Sequence, residues 1–267
     1  MRQDLTADRI RAGLATTKLG RTIEAYATLP STNDRALDLL DEGAPHGTLI
    51  VADRQTAGRG RRGHQWHSAA GLAVYASLIL RGARATPSPT LLVAATGVGI
   101  AEGLERAAAV SCQIKWPNDV WIRDRKVAGI LVEARSFRAD RPAFVVGFGV
   151  NVAHRENDFP TELRASATSL AIETNVVLAR DVVLRAVLVA LEPLIDAALD
   201  AAPAPDIHRR YRDRSLLLGR RVALSDGETP LVGTVVDLSA VDGLLLRTDD
   251  GVMRHVRSEH AHSVRPL

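Results

Sequence analysis

The chain has 267 residues, 46% of them apolar and 24% charged, the make-up of an ordinary folded protein with one or two domains of roughly 100 to 200 residues each. This excludes a disordered chain, a collagen-like repeat and a small disulfide scaffold, since the single cysteine, Cys112, has no partner for an internal bridge. The net charge is only +3, but its distribution is uneven. Residues 54–101 contain no acid, while Arg54, Arg59, Arg61, Arg62, Arg81 and Arg84 fall within them. A positive potential confined to one segment suits a phosphorylated small molecule better than a nucleic-acid face.

The amino terminus has no basic-then-apolar signal, and no apolar run reaches the roughly 18 residues of a membrane helix, so a cytoplasmic protein without a membrane span is expected. In chain order, an amphipathic helix is predicted over residues 6–14. A second starts at Ser31, where Ser31 with Asp34 forms a capping pattern ahead of Leu37 and Leu40, and Gly43 ends it. Residues 48–53 and 71–80 read as strands joined by the polar, glycine-rich loop 55–70, whose length marks it as a binding element. A helix over residues 89–106 is followed by strands at 113–115, 127–133 and 143–150. Residues 180–199 form a long amphipathic helix, the Ala-Pro run at 201–205 interrupts it, and 206–212 can form a short one. The texture then changes to strands at 221–224, 232–238, 244–248 and 252–257, with the hairpin signals Asp226-Gly227, Asp242-Gly243 and Asp250-Gly251 between them. These readings place a domain of residues 1–214 before a small β-barrel domain of residues 215–267. No repeat is present, and no helix-turn-helix fits into the 20 or so residues ahead of Ile23.

Two segments are dense in chemistry. Gly58-Arg59-Gly60-Arg61-Arg62-Gly63 matches a dinucleotide fingerprint by letters. However, no helical pattern opens at the glycines, and the next acid is Glu102, far beyond the position that would meet a ribose. What remains is a flexible loop whose glycines admit close backbone approach and whose arginines offer forked donors to phosphate, or a solvated basic loop. Trp66 can stack on a base, cover a pocket or simply pack in a core. In Lys115-Trp116-Pro117-Asn118-Asp119 a cation, a rigid turn and an acid meet at a strand end. There Lys115 can hold a phosphate and Asp119 a Mg²⁺ ion. Lys126, at the entrance of an apolar strand, can reach inward or end as a solvated cap. His46, His64 and His67 lack metal-ligand spacing, and no P-loop or G-x-S-x-G signature occurs. Residues 206–214, around Tyr211, read as a solvated helix face.

Together, Ser31-Thr32-Asn33, the 55–63 run, the 115–119 run, the segment from Lys126 through Gly129 to Leu131, and Gly147-Phe148-Gly149-Val150-Asn151 resemble the biotin protein ligases in order and spacing. The resemblance runs from about Thr17 to the carboxyl terminus. It implies an α+β fold, a mixed sheet with helices on one side, followed by an SH3-like barrel. It also implies an enzyme that makes biotinyl-5′-adenylate from biotin and ATP with Mg²⁺ and passes biotin to a lysine of a biotin carboxyl carrier protein, as in acetyl-CoA carboxylase. On this likeness Ser31, Thr32, Asn33, Gln55 and Gly129 contact biotin. Arg59, Gly60 and Arg61 close over biotin and the adenylate, and Trp66 packs on that loop and on adenine. Lys126 touches the biotin carboxylate and the α-phosphate. Lys115, Asn118 and Asn151 border the nucleotide, and Asp119 serves the metal. No amino-terminal winged helix is visible, so gene repression and DNA binding are not expected, while a homodimer is compatible. The rivals are a lipoate or octanoate ligase of the same fold, and a nucleic-acid module using the basic segment, which the 4% aromatic content disfavours.

Overall fold

The computed structural model describes residues 4–82, 88–136, 142–200, 205–227 and 229–267. Seven strands form a mixed sheet: β1 (Ile23–Leu29), β2 (Leu49–Gln55), β3 (Ala73–Arg81), β4 (Gln113–Lys115), β5 (Asp119–Ile122), β6 (Arg125–Ser136) and β7 (Pro142–Asn151), in the order β1-β2-β3-β7-β6-β5-β4. Only β1 and β2 run parallel; the other neighbours are antiparallel. The two central strands explain the apolar runs in the sequence. All ten residues of β7 and the first eight of β3 are buried, because both faces of the sheet are covered there.

Alternate residues along these strands belong to different layers. Leu49, Val51, Leu78, Val146 and Phe148 join the main core with α3 (Pro89–Ala108) and α5 (Arg180–Leu199). Ile50, Ile79 and Val145 face the other way and pack with Ala36, Leu39 and Leu40 of α2 (Thr32–Asp41). The expected one-sided layer therefore holds for the two long helices, but α2 covers the opposite face. Helix α3 starts with Pro89 at its first turn and lies tightly on α5. A Cβ at Gly103 would stand 2.5 Å from the Val187 Cα, a spacing that only glycine permits. The first helix, α1 (Ala7–Ala12), is capped by Thr6, whose side chain accepts from the Arg9 N–H. Ahead of it, Asp4 is buried against Arg180 at the start of α5, with Arg180 Nε donating at 2.8 Å.

A separate five-stranded antiparallel sheet closes the chain: β8 (Arg221–Asp226), β9 (Thr229–Ser239), β10 (Gly243–Thr248), β11 (Met253–Val256) and β12 (Ala261–Pro266), in the order β11-β10-β9-β8-β12. Each Asp-Gly pair lies at a hairpin connection of this sheet, as expected. Among the α-helices and strands, four escaped the sequence reading. Strand β1 is half-exposed and carries no clean alternation, β5 has four residues, α4 (Leu170–Thr174) has five, and β12 mixes polar residues with Pro266. Segments this short carry too little periodicity to be told from loops. Helix α6 (Pro205–Asp213) is predicted correctly, but its Tyr211 face is not solvated. Ile207 and Tyr211, one turn apart, are both buried. Among the described residues no helix is long and apolar enough to cross a membrane.

Candidate functional site

A cleft of about 820 Å³, measured out to its open mouth, lies over the middle of the seven-stranded sheet. Its lining includes Ser31, Thr32, Asn33, Gln55, Arg59, Gly60, Arg61, Trp66, Asn118, Asp119, Lys126 and Gly129. These come from the first turn of α2, the end of β2, the following loop, the turn before β5, and β6. Twelve of the fourteen expected site residues are thus brought together, from positions up to about a hundred apart in sequence.

One wall is a polar network. Ser31 caps α2, which turns Thr32 and Asn33 inward. Gln55 Oε1 accepts from the Thr32 N–H at 2.8 Å and from Thr32 Oγ1 at 3.1 Å, and Gln55 Nε2 donates to Ser68 Oγ at 3.3 Å. Beneath them, Ser77 Oγ donates to Asn33 Oδ1 at 2.6 Å and stands 2.8 Å from Thr32 Oγ1. Ser77 was not anticipated, because a lone serine in the apolar run of β3 carries no motif. Its burial in an otherwise apolar strand was the only available signal.

The floor is set by glycines. Gly129 and Gly149 are paired across β6 and β7, and the Trp66 indole lies directly on them. A Cβ at Gly149 would stand 2.6 Å from Trp66 Cε2, and one at Gly129 would stand 2.7 Å from Trp66 Cζ3. Trp66 is therefore a cleft residue and not a core one. Its ring faces Lys126, whose Nζ is 5.1 Å from the ring centroid, a cation–π distance. The same ammonium is 2.7 Å from Asp119 Oδ1, so Lys126 does point inward. Asn118 Nδ2 donates to the Ile130 carbonyl at 2.9 Å, and Tyr211 Oη donates to the Pro117 carbonyl at 3.0 Å, so β6 and α6 both brace this turn.

The loop between β2 and β3 folds on itself, Gly60 N–H donating to the His64 carbonyl and Trp66 N–H to the Gly58 carbonyl. Its arginines are tied on three sides. Arg59 pairs with Asp34 and, at 3.3 Å, with Glu133. Arg61 Nη2 donates to the Ser258 carbonyl at 2.8 Å, and Arg62 Nη2 to the Glu259 carbonyl at 2.5 Å, both in the turn between β11 and β12. Burial pushes the Arg61 guanidinium below its ordinary value. Arg81 donates to the Ala44 carbonyl at 2.7 Å. Arg84 lies outside the described residues. Four arginines of the basic segment, Arg59, Arg61, Arg62 and Arg81, are thus each tied to the protein's own carbonyls or carboxylates.

Two expected nucleotide contacts stand elsewhere. Lys115, on the edge strand β4, places its ammonium 4.4 Å from the Trp121 ring, where burial lowers its pKa. Asn151, buried at the end of β7, donates to the Thr168 carbonyl at 3.0 Å. Neither lines the cleft. Asp119, expected at the metal, lines the cleft. Its Oδ1 is taken by Lys126, and among the described residues no group of three or more His, Cys, Asp or Glu could cage an ion. Mg²⁺ is commonly held by one or two carboxylates together with substrate phosphates, and Asp119 is the carboxylate among the residues lining the cleft.

The polar wall, the glycine floor and the inward lysine together give the cleft neutral donors and acceptors at one end and an ion-paired ammonium at the other. Residues 25–151 match the model of the biotin/lipoate A/B protein ligase family. The chain is 35% identical over 253 residues to the bifunctional ligase/repressor BirA of Bacillus subtilis, covering 94% of this chain and 77% of that protein. It is 32% identical over 227 residues to the biotin–[acetyl-CoA-carboxylase] ligase of Mycobacterium tuberculosis, covering 82% of this chain and 80% of that one. The solved biotin protein ligase from Aquifex aeolicus, in complex with biotin and ATP, superposes with a TM-score of 0.80 at 31% identity, covering 92% of this chain and all of that one. Likeness along nearly the whole chain, in sequence and in topology, bears out the expectation raised by the motifs: this chain is a ligase and belongs to the biotin protein ligase family.

Proposed function

We propose that this protein condenses biotin with ATP to biotinyl-5′-adenylate and transfers the biotinyl group to one lysine of a carboxyl carrier domain such as that of acetyl-CoA carboxylase. The observation that carries the reading is the pairing, in one cleft, of the Thr32–Gln55–Ser77 polar wall with the inward-pointing Lys126. A cyclic urea needs both donors and acceptors at its recognition end, and that wall, entered by Ser31 and Asn33, supplies them. A carboxylate and a phosphate brought together need a cation between them. Lys126 is the cation that lines the cleft beside the Trp66 platform.

In the first step a carboxylate oxygen of biotin attacks the α-phosphorus in line, the bond to the β-phosphate oxygen breaks, and pyrophosphate leaves. Lys126 neutralises charge on both reacting groups. Arg59, Gly60 and Arg61 hold the loop across the mixed anhydride and keep water from it. In the second step the carrier amine attacks the acyl carbon, AMP leaves, and the amine proton passes to solvent. Mg²⁺ accompanies ATP as its phosphate counter-ion, with this chain contributing Asp119 at most. Residues 1–214 form the ligase body in this reading, and residues 215–267 a second domain that anchors the loop. The repressor activity named for the Bacillus relative is not carried across.

The test is pyrophosphate release from ATP and Mg²⁺ with biotin, lipoate or octanoate added singly, followed by the mass of a carrier domain after incubation. Release with biotin alone and a carrier heavier by one biotinyl group is expected. Release with lipoate or octanoate alone would overturn the substrate, and silence with all three would overturn the reaction.

A further inference from the structure

Glu133 has no role in the reading above, yet two cleft residues converge on it. One of its oxygens, Oε2, accepts from Asn33 Nδ2 at 2.6 Å and from Arg59 Nη2 at 3.3 Å. Asn33 is constrained at both ends, since its Oδ1 accepts from the buried Ser77 hydroxyl at 2.6 Å. An amide that must accept on one side and donate to a carboxylate on the other has only one orientation. Glu133 itself is well placed to impose it, because it sits on β6, paired with Val145 of the fully buried β7, on the strand that carries Gly129 and Lys126.

The Arg59 side of the contact has a different consequence. The loop's internal hydrogen bonds stiffen the loop but do not fasten it to the sheet. Arg59 does fasten it, and its Nη2 is shared between Asp34 on α2 and Glu133 on β6. Two carboxylates are thus held together by a single guanidinium whose side chain is 43% exposed. Such a clasp is weak enough to open and specific enough to set where the loop rests. From this geometry we infer that Glu133 is a positioning residue for ligation: it clasps the 58–66 loop through Arg59 and, through Asn33, fixes the polar wall that meets the substrate. This role rests on the proposed ligase reading.

The experiment uses the full chain as parent, Glu133→Ala, Glu133→Gln, Arg59→Ala and the Ala/Ala double variant, with thermal melting to show that each is folded. Trypsin cleavage at Arg59, Arg61 and Arg62 is followed without substrate, so this arm does not depend on the reaction. In Glu133→Ala, cleavage about tenfold faster than in the parent is expected, with biotin KM raised about tenfold and kcat nearly unchanged, as for the loss of one charge-assisted hydrogen bond. Glu133→Gln keeps an acceptor for Asn33 but loses the charge facing Arg59, so its loop should be cut nearly as fast while KM moves less. In the double variant the second substitution should add little. Parent-like cleavage and KM in Glu133→Ala, or fully additive effects, would overturn the role. A parent that does not turn over biotin would instead sink the ligase reading, leaving cleavage to decide the clasp.

Discussion

Lys126 and Asp119 form an ion pair at 2.7 Å across β6 and β5, one rung from the register shift between these strands. The pair keeps the ammonium inside the cleft without a ligand, so its charge is already oriented when two anions arrive, which is preorganisation in the electrostatic sense. Replacing Lys126 with alanine removes that charge and leaves Asp119 facing the reacting oxygens. We expect biotin-dependent pyrophosphate release to fall by about 100-fold or more in a variant that thermal melting shows to be folded. Near-parent release by a folded variant would remove Lys126 from the chemistry.

The Trp66 platform gives a steric prediction. In Gly149→Ala the new Cβ would overlap an indole carbon at 2.6 Å. Trp66 lies on a loop and can swing away, so the cost to stability should stay within about 1–3 kcal/mol, while the cleft loses its cover. The expected signs are altered tryptophan fluorescence and weaker binding of biotin and ATP by calorimetry. Unchanged fluorescence and affinity would mean that the ring does not rest where it is placed here.

Arg61 joins the loop to the turn between β11 and β12 through the Ser258 carbonyl. Arg61→Gly removes this tie and adds backbone freedom. Adenylate should then leave the cleft faster, which free-amine biotinylation of a bystander protein would report. Equal retention of adenylate by variant and parent would count against the tie.

Arg180, buried between Asp4 and Asp53, with Nη1 2.7 Å from Asp53 Oδ1, gives an acid-stability prediction. Burial tends to raise the Asp4 pKa, but side-chain and backbone hydrogen bonds from Arg180 outweigh it and hold the carboxyl below its ordinary 3.8. A folded pKa below the unfolded one means that the contribution is present above about pH 4 and is lost as the pH falls through the folded value. Arg180→Met should cost about 3–5 kcal/mol at pH 7, because it strands a buried carboxylate, and much less near pH 3. Urea midpoints at the two pH values test this, and an equal cost at both would refute it.

His154 contributes a second acid term. Its ring is fully buried and stacked on Phe159 at 4.6 Å, with neither nitrogen hydrogen-bonded, and burial lowers its pKa to about 4 from 6.5. Stability from the neutral ring is complete above about pH 6.5 and drains away as the pH falls toward 4, by about 3 kcal/mol in all. His154→Phe keeps the stack and removes the titration, so its stability should fall less between these pH values. Parallel pH profiles for variant and parent would exclude the residue.

The sequence by itself determined the local devices. Ser31 announces a helix start, the Asp-Gly pairs announce hairpins, and the apolar runs of β3 and β7 announce buried strands. Each depends on bonding within a few residues of chain, which is why it can be read without a fold. The resemblance of the motifs to the biotin protein ligases also named most of the cleft. Only the tertiary structure decided the rest. It placed Ser77 under Asn33, brought Glu133 to Arg59, drew the loop arginines onto the Ser258 and Glu259 carbonyls, and left Lys115 and Asn151 outside the cleft lining. The Ser77, Glu133 and loop-arginine partners lie from 44 to 197 positions apart, and their meeting follows from sheet register and from which face each strand buries. A one-residue change of register in β3 or β6 would send Ser77 or Glu133 to the other face, so no local pattern could have recorded these meetings.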